Sequence, residues 1–250
     1  MIAAELAAPA EKRQFVHRLF TTIAPRYDWF NRLASLGLDQ RWRRRAVKAS
    51  GLTPGMRVLD VCTGTGDLAL RCARELNGHG LMVGADFNEA MLRGARAKRS
   101  IRVHAAGGGV RWVCADAQAL PFRSGSFDRV LIGFSTRNLS DLQAGLQEMI
   151  RLLTSGGRLV ILETGFPSNP IVRAGYWVFL MTLARAIGGL LTGRLWPFTY
   201  FAQSVRGFLS PPQVVSLLAS CGTTARYLSL SWGLASLYIA DKHSALSTQH

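Results

Sequence analysis

The sequence predicts an α/β fold in which a mainly parallel sheet is covered by helices. Three observations predict it. Short β-branched and apolar runs alternate with helical ones from residue 57 onward. Turns rich in glycine, asparagine or serine separate them at Asn77 to Gly80, Gly107 to Gly109 and Ser155 to Gly157. The first run passes through Gly64 and Gly66 directly into a helix, the order of a strand–turn–helix ligand site. At 250 residues the chain can form one domain with a sizeable core, and it contains no internal repeat.

In chain order, residues 1–9 read as a loose tail and Gln14 to Ser50 as helix. The first strand, 57–61, carries Val58, Leu59 and Val61, and leads to an apolar helix over 67–76. A strand at 81–86, a helix at 88–99 and a strand at 110–115 follow. Then come a strand at 127–134, a helix at 141–153 and a strand at 157–163. Pro167 and Pro170 open an inserted apolar helical segment, 167–206. Ser210-Pro211 starts a helix over 211–221, and two late strands near 226–231 and 235–241 close the chain. The expected division is a helical cap over 1–50, a substrate lid, and a domain over 51–250 holding the insertion.

A bare glycine pair is common in plain tight turns, and Gly64-Thr65-Gly66 with Ala69 fits even a relaxed dinucleotide fingerprint. The carboxylates at three strand ends narrow the reading. Asp60 lies in the first run, ahead of Thr63, Gly64 and Gly66. Asp86, followed by Phe87, is placed to accept from both hydroxyls of a ribose. Asp116, followed by Ala117, is placed to accept from an adenine amino group. Three carboxylates repel a pyrophosphate and suit a cationic nucleoside. S-adenosylmethionine carries a sulfonium, a ribose and an adenine without phosphate, so it is the expected cofactor.

The formal charge of +15 is the unusual bulk property. Much of it sits in Arg41, Arg43, Arg44, Arg45 and Lys48, and in Arg93, Arg96, Lys98, Arg99 and Arg102. From Gly165 onward the only acid is Asp241. Such a surface attracts polyanions. Only Trp42 interleaves with these clusters, which argues against nucleic acid and for an anionic membrane face. Cys62, Cys72, Cys114 and Cys221 are scattered without a C-x-x-C or a histidine pair, so neither a disulfide framework nor a metal site is expected. Glu5 interrupts any signal-peptide core, and a cytoplasmic protein is expected. In Ile171 to Gly193 the longest charge-free run, Ala174 to Ala184, falls short of the roughly 20 apolar residues that span a bilayer. An amphipathic lid touching the interface with Trp177, Phe179, Leu180 and Met181 is the functional alternative to a packed helix.

Several longer stretches resemble one family. Ile23-Ala24-Pro25-Arg26-Tyr27-Asp28-Trp29-Phe30-Asn31, followed by Ser35 and Trp42, is similar to the opening of the ubiquinone/menaquinone biosynthesis C-methyltransferases of the UbiE/MenG type. So are Thr63 to Asp67, Gly84 to Leu92, Arg137-Asn138, Gly156 to Glu163 and Tyr200 to Arg206. The resemblance runs from about Phe15 to Lys242. It implies a class I S-adenosylmethionine-dependent methyltransferase: a Rossmann-like, mostly parallel seven-stranded sheet with flanking helices, finished by the late hairpin. It also implies C-methylation of a polyprenylated quinol, with demethylmenaquinol expected first. A phospholipid amine or a specialised aromatic metabolite is the alternative lipophilic acceptor. On this reading Arg137 stabilises an anionic quinol oxygen and Asn138 orients it, while Tyr27, Asp28 and Asp39 are candidate bases or substrate contacts. The chain departs from the family with Phe30 for methionine, Asp39 for histidine, Thr154-Ser155 for Lys-Pro and Gly165 for serine. A homo-oligomer is compatible with the sequence.

Overall fold

The structure, a computed structural model, describes residues 8–102 and 109–244. The expected tail up to residue 7 and the turn at Gly107 and Gly108 lie outside the described residues, as do the side chains of Arg99 and Arg102.

Seven strands form one sheet in the order β3-β2-β1-β4-β5-β7-β6. They are β1 (Arg57–Val61), β2 (Leu81–Asp86), β3 (Val110–Cys114), β4 (Phe127–Gly133), β5 (Leu153–Thr164), β6 (Thr223–Leu230) and β7 (Ala235–Lys242). The first five run parallel, and β7 enters antiparallel between β5 and β6, as the expected hairpin. Strand order reverses between β1 and β4, which opens a crevice at their carboxyl ends where ligands of such sheets bind. The strands are apolar because helices cover both faces. Leu59, Val61, Val130, Ile132 and Ile161 pack on one side, and Val58, Leu131, Val160 and Leu162 on the other.

The expected turn at Ser155 to Gly157 is instead a bulge inside β5. Phe127 pairs with Leu153 and Arg129 with Arg158, and the extra residues between are accommodated with Gly156 at φ +71°. Backbone pairing on both sides holds a sequence that looks like a turn.

The N-terminal helical stretch is divided into α1 (Pro9–Ile23), a 3₁₀ turn (Ala24–Arg26), α2 (Tyr27–Ala34) and α3 (Leu38–Ser50). Pro25 lacks an N–H to continue α1, and Gly37 at φ +76° supplies the left-handed turn before α3. The cap expected over 1–50 therefore has two fates. Trp42, Ala46 and Val47 of α3 belong to the core on the sheet, whereas α1 and α2 pack with the insertion through Val16, Leu19, Ile23, Phe30 and Phe198. α4 (Asp67–Glu75), α5 (Glu89–Arg102), α6 (Leu142–Leu152) and α10 (Pro211–Ser220) complete the layers.

In the insertion, α7 (Pro170–Phe179), a π-helical turn (Leu180–Ala184) and α8 (Arg185–Thr192) form one continuous helix, followed by α9 (Trp196–Arg206). Pro170–Thr192 has 23 residues and a mean hydropathy of 1.4, enough by length and composition to cross a membrane. That count covers the whole helix, Arg173 and Arg185 included, whereas the charge-free run within it is shorter. Its buried stripe is narrow, namely Leu180, Ala184 and Gly188, while Ile171, Val178, Leu183 and Leu190 face outward. Leu180, expected at an interface, is buried, and Trp177 lies under the Arg206 guanidinium.

Candidate active site

Two cavities meet above the carboxyl ends of the central strands. The first holds about 600 Å³ of empty space, part of it open to solvent, and is lined by Cys62, Gly64, Asp86, Phe87, Asp116 and Ala117, with Val16 and Phe20 of α1 above. The second holds about 830 Å³ of empty space, part of it open to solvent, and is mainly apolar and aromatic, with Phe30, Phe134, Tyr176, Phe198, Tyr200 and Phe201 in its wall. Phe20, Tyr27 and Asn138 line both, so these three side chains mark the junction.

The first cavity follows from strand ends. Beyond β1 the chain turns through Cys62 at φ +51° and Gly64 at φ +55°. Gly64 N donates to Asp86 Oδ2 at 2.8 Å, and Asn88 N donates to Asp86 Oδ1 at 2.8 Å, so the carboxylate at the end of β2 is fixed in the wall. Asp60 sits beneath the loop. Its Oδ2 accepts from Thr63 Oγ1 at 2.6 Å and Ala69 N at 3.0 Å, while Oδ1 is buried without a partner. Burial pushes Asp60 up to about 7 and Asp86 up to about 6.

Of the expected cofactor residues, Gly64, Asp86, Phe87, Asp116 and Ala117 reach this cavity; Asp60, Thr63 and Gly66 do not line it. Gly66 has a packing reason to be glycine. It stands at φ +80° at the head of α4, and a Cβ there would lie 2.6 Å from the Trp112 ring. Asp116 also differs from expectation. Its Oδ2 pairs with the Arg13 guanidinium of α1 at 3.0 Å, and its Oδ1 accepts from Gln118 N at 3.0 Å. Cys62, Gln118 and Ser135 are wall residues that sequence reasoning missed. Cys62 carried a signal, because it occupies a turn position between a strand and a glycine pair.

The second cavity gathers Arg137, Asn138, Asp39 and Tyr27, the four expected catalytic residues. Arg137 follows β4 in a 3₁₀ turn, Thr136–Asn138. Its guanidinium is buried, ion-paired to Glu163 at the end of β5, donates to Phe134 O at 3.0 Å, and lies over the Phe201 ring at 5.1 Å. Its Nε has no partner. Glu163 is itself held by Thr136 Oγ1 at 2.6 Å and Thr164 N at 2.7 Å. It closes a strand as Asp60 and Asp86 do, so the same reading extended one strand further finds it. Asn138 Oδ1 accepts from Tyr200 Oη at 3.3 Å.

Asp39 opens α3 as a buried carboxylate. It accepts from Ser35 Oγ at 3.1 Å and Gln40 Nε2 at 2.6 Å, and it lies 3.6 Å from Arg43 Nε. The Arg43 guanidinium stands over the Phe134 ring at 5.0 Å while Phe134 O accepts from Arg137, so Phe134 contacts both arginines. Burial raises Tyr27, which keeps its phenol protonated at neutral pH and makes it a donor rather than a base. Asp28 is drawn away from the chemistry. It accepts from Thr65 Oγ1 at 2.6 Å and pairs with Lys98 Nζ at 2.5 Å, and Lys98 also reaches Asp67 at 2.6 Å. This network ties α2 to the glycine turn.

With that geometry established, the chain compares with known proteins as follows. The model of the ubiE/COQ5 methyltransferase family matches residues 8–242. A demethylmenaquinone methyltransferase of Thermus thermophilus is 42% identical over 226 residues, covering 90% of this chain and all of that one. A ubiquinone/menaquinone biosynthesis C-methyltransferase UbiE of Geobacter sulfurreducens is 39% identical, covering 93% of this chain and 90% of that one. Among solved structures, a SAM-dependent methyltransferase from Thermotoga maritima, described as a possible histamine N-methyltransferase, superposes with a TM-score of 0.63. It has 18% identity over 91% of this chain and 99% of that one. One from Aquifex aeolicus gives a TM-score of 0.59 at 18% identity over 80% of this chain and 88% of that one. The chain belongs to the ubiE/COQ5 methyltransferase family and is an S-adenosylmethionine-dependent methyltransferase.

The first cavity fits that cofactor by its own chemistry. Among the described residues Asp86, which lines it, has no ion-pair partner and is raised by burial, so hydroxyl donors and a cation arriving there would restore its charge. Asp86 and Asp116 would hold the nucleoside, with Phe87 and Ala117 packing beside it.

Proposed function

We propose that this methyltransferase alkylates a ring carbon of a polyprenylated quinol, demethylmenaquinol in the first instance. One observation carries the reading: a large aromatic cavity, with a buried guanidinium whose Nε is unpaired, opens onto the cofactor cavity at Phe20, Tyr27 and Asn138. The curated relatives named above, called a demethylmenaquinone methyltransferase and UbiE, support the acceptor class.

A neutral quinol carbon is a weak nucleophile, and loss of a hydroxyl proton activates the carbon beside it. Arg137 stabilises the resulting oxyanion. Its positive charge sits in an apolar wall, where a charge–charge contact is worth more than in water. Glu163 fixes the guanidinium plane, and Asn138, braced by Tyr200, positions the ring. A guanidinium stays protonated, so the proton goes elsewhere, and Asp39 is the carboxylate in the same wall able to accept it. Tyr27 donates at the junction. When bound, the cofactor supplies an electrophilic methyl on a sulfonium. The protein's larger contribution is to align the ring carbon with it and to exclude water through α1, α2 and the insertion.

We further infer that the enzyme works from the cytoplasm at an anionic membrane face. The net charge of +15 and the outward apolar residues of α7–α8 support this. The test is incubation of purified protein with labelled cofactor and a short-tailed demethylmenaquinol under reducing conditions. The label should appear on the quinol ring carbon. Label on a phospholipid amine or another aromatic from a lipid extract, with none on the quinol, would replace the reading.

A further inference from the structure

We propose that the cleft between α3 and the turn Ser231–Gly233 binds the phosphate headgroup of an anionic phospholipid, docking this face of the protein on a bilayer. The proposal deepens the membrane reading above and rests on it. Arg41, Arg44 and Arg45 line the cleft with Leu38, Trp42 and Ser231. All three arginines are exposed, and among the described residues none has a hydrogen bond or ion pair. Some arginines of the fold are matched, as Arg57 is with Asp128 and Arg158 with Asp241, and others such as Arg93, Arg111 and Arg123 are single unpaired positions; the cleft differs in gathering three unpaired arginines on one helix. Three unmatched guanidiniums on adjoining turns of one helix repel one another, and an anion between them removes that repulsion. Guanidinium forks suit phosphate oxygens in particular.

The turn opposite supplies the apolar half of an interfacial site. Ser231 and Trp232 hold φ of +50° and +57°, a left-handed pair without glycine, and Trp232 is 85% exposed. Trp42 Nε1 donates to Ser231 Oγ at 2.9 Å, which fixes the turn against α3. A large indole held outward beside basic residues matches the headgroup layer, where tryptophan and arginine both concentrate. The surface continues on both sides. Leu36, 83% exposed, precedes α3, and Gly233 packs on Pro167 just before α7, whose Ile171 and Val178 face outward. The Trp42 ring lines both this cleft and the acceptor cavity, so a bilayer docked here lies one side chain from the site of a lipophilic substrate.

The experiment uses the full chain and vesicles of phosphatidylcholine with or without phosphatidylglycerol, read by sedimentation. The cleft variant is Arg41→Gln, Arg44→Gln, Arg45→Gln. A control, Arg93→Gln, Arg111→Gln, Arg123→Gln, removes the same charge from other exposed positions. Each basic residue at an anionic surface is worth about five-fold in affinity, so the cleft variant should lose on the order of 100-fold. The control should lose only a few-fold, from screened long-range attraction. Trp232→Ser should weaken binding about ten-fold without altering net charge, and it covers the case in which the triple variant misfolds. Equal losses in the cleft and control variants, or loss of oligonucleotide binding with vesicle binding intact, would overturn the assignment. Methylation of a short-tailed quinol in solution should be unchanged in the cleft variant. If no quinol is methylated by the parent protein, the acceptor reading fails while the vesicle result still decides the cleft.

Discussion

The two cavities that meet at Phe20, Tyr27 and Asn138 are built by opposite means. The proposed cofactor side is lined by residues that follow β1, β2 and β3, and its central carboxylate, Asp86, is held by the backbone N–H groups of Gly64 and Asn88, with Asp116 held by Arg13. The acceptor side is made from helices distant in sequence, with Leu19 of α1, Phe30 of α2, Trp42 of α3, Tyr176 of α7 and Tyr200 of α9 in one wall. Its charges are side chains matched to side chains, Arg137 with Glu163 and Asp39 with Arg43. A sheet fixes the first kind of site by register, whereas the second exists only once the helices have packed. The same contrast separates binding from chemistry, because substitutions on one side should leave the other nearly untouched.

The largest expected effect lies on the acceptor side. Arg137→Leu should lower turnover by roughly 10²–10³, the usual loss for one transition-state charge contact, with cofactor affinity nearly unchanged. Arg137→Lys should recover part of the rate, since it keeps the charge but loses the fork. Raising pH should partly rescue the leucine variant by ionising more quinol, which a purely structural arginine would not do. Turnover measured against pH, with circular dichroism to confirm folding, checks all three; normal turnover in Arg137→Leu would move the role to Asp39.

On the cofactor side, Asp86→Ala should weaken S-adenosylmethionine by about 1.5–3 kcal/mol, the scale of a charge-assisted hydrogen-bond pair. Calorimetry reads it directly, and tight NAD binding in its place would break the cofactor assignment.

A smaller effect follows from pH. Asp60 at about 7 and Asp86 at about 6 both lie above their ordinary 3.8, so the cofactor-free fold binds protons that the unfolded chain has released. The free protein should therefore gain stability as pH falls from 8 toward 5. Cofactor affinity should move the other way, falling about ten-fold over that range, because a sulfonium favours ionised carboxylates. Thermal shifts with and without cofactor separate the two trends, and parallel curves would contradict the link. The smallest effect is expected at the junction. Tyr200→Phe removes the bond that braces Asn138 and should raise KM for the quinol no more than about five-fold, near 1 kcal/mol, with kcat little changed.

Local patterns made one half of the molecule legible. Val58 to Val61 followed by Gly64 and Gly66 marks a strand, a glycine turn and a helix without any tertiary knowledge, and Asp86 closes the next strand in the same way. The reasoning failed where a neighbour rather than a ligand set the residue. Gly66 leaves room for the Trp112 ring, and Ser155 to Gly157 form a bulge held by pairing on either side. Glu163 carried the same signal as the other strand-end carboxylates, yet its partner Arg137 sits on the turn after the neighbouring strand β4, 26 residues away in sequence, a distance no local pattern reports.

By itself the sequence determined the alternation of strand and helix, the glycine turn after β1, the carboxylates that close β1 and β2, and the net basic charge. These depend on periodicity, on turn chemistry and on charge, all of which are local or additive. Tertiary structure alone decided that α3 joins the sheet while α1 and α2 cover the site, that Arg13 caps Asp116, and that Arg137 is held by Glu163. Each of these depends on packing between segments far apart in the chain. Burial, which sets the charge state of Asp60 and Asp86, arises only when those segments close over them.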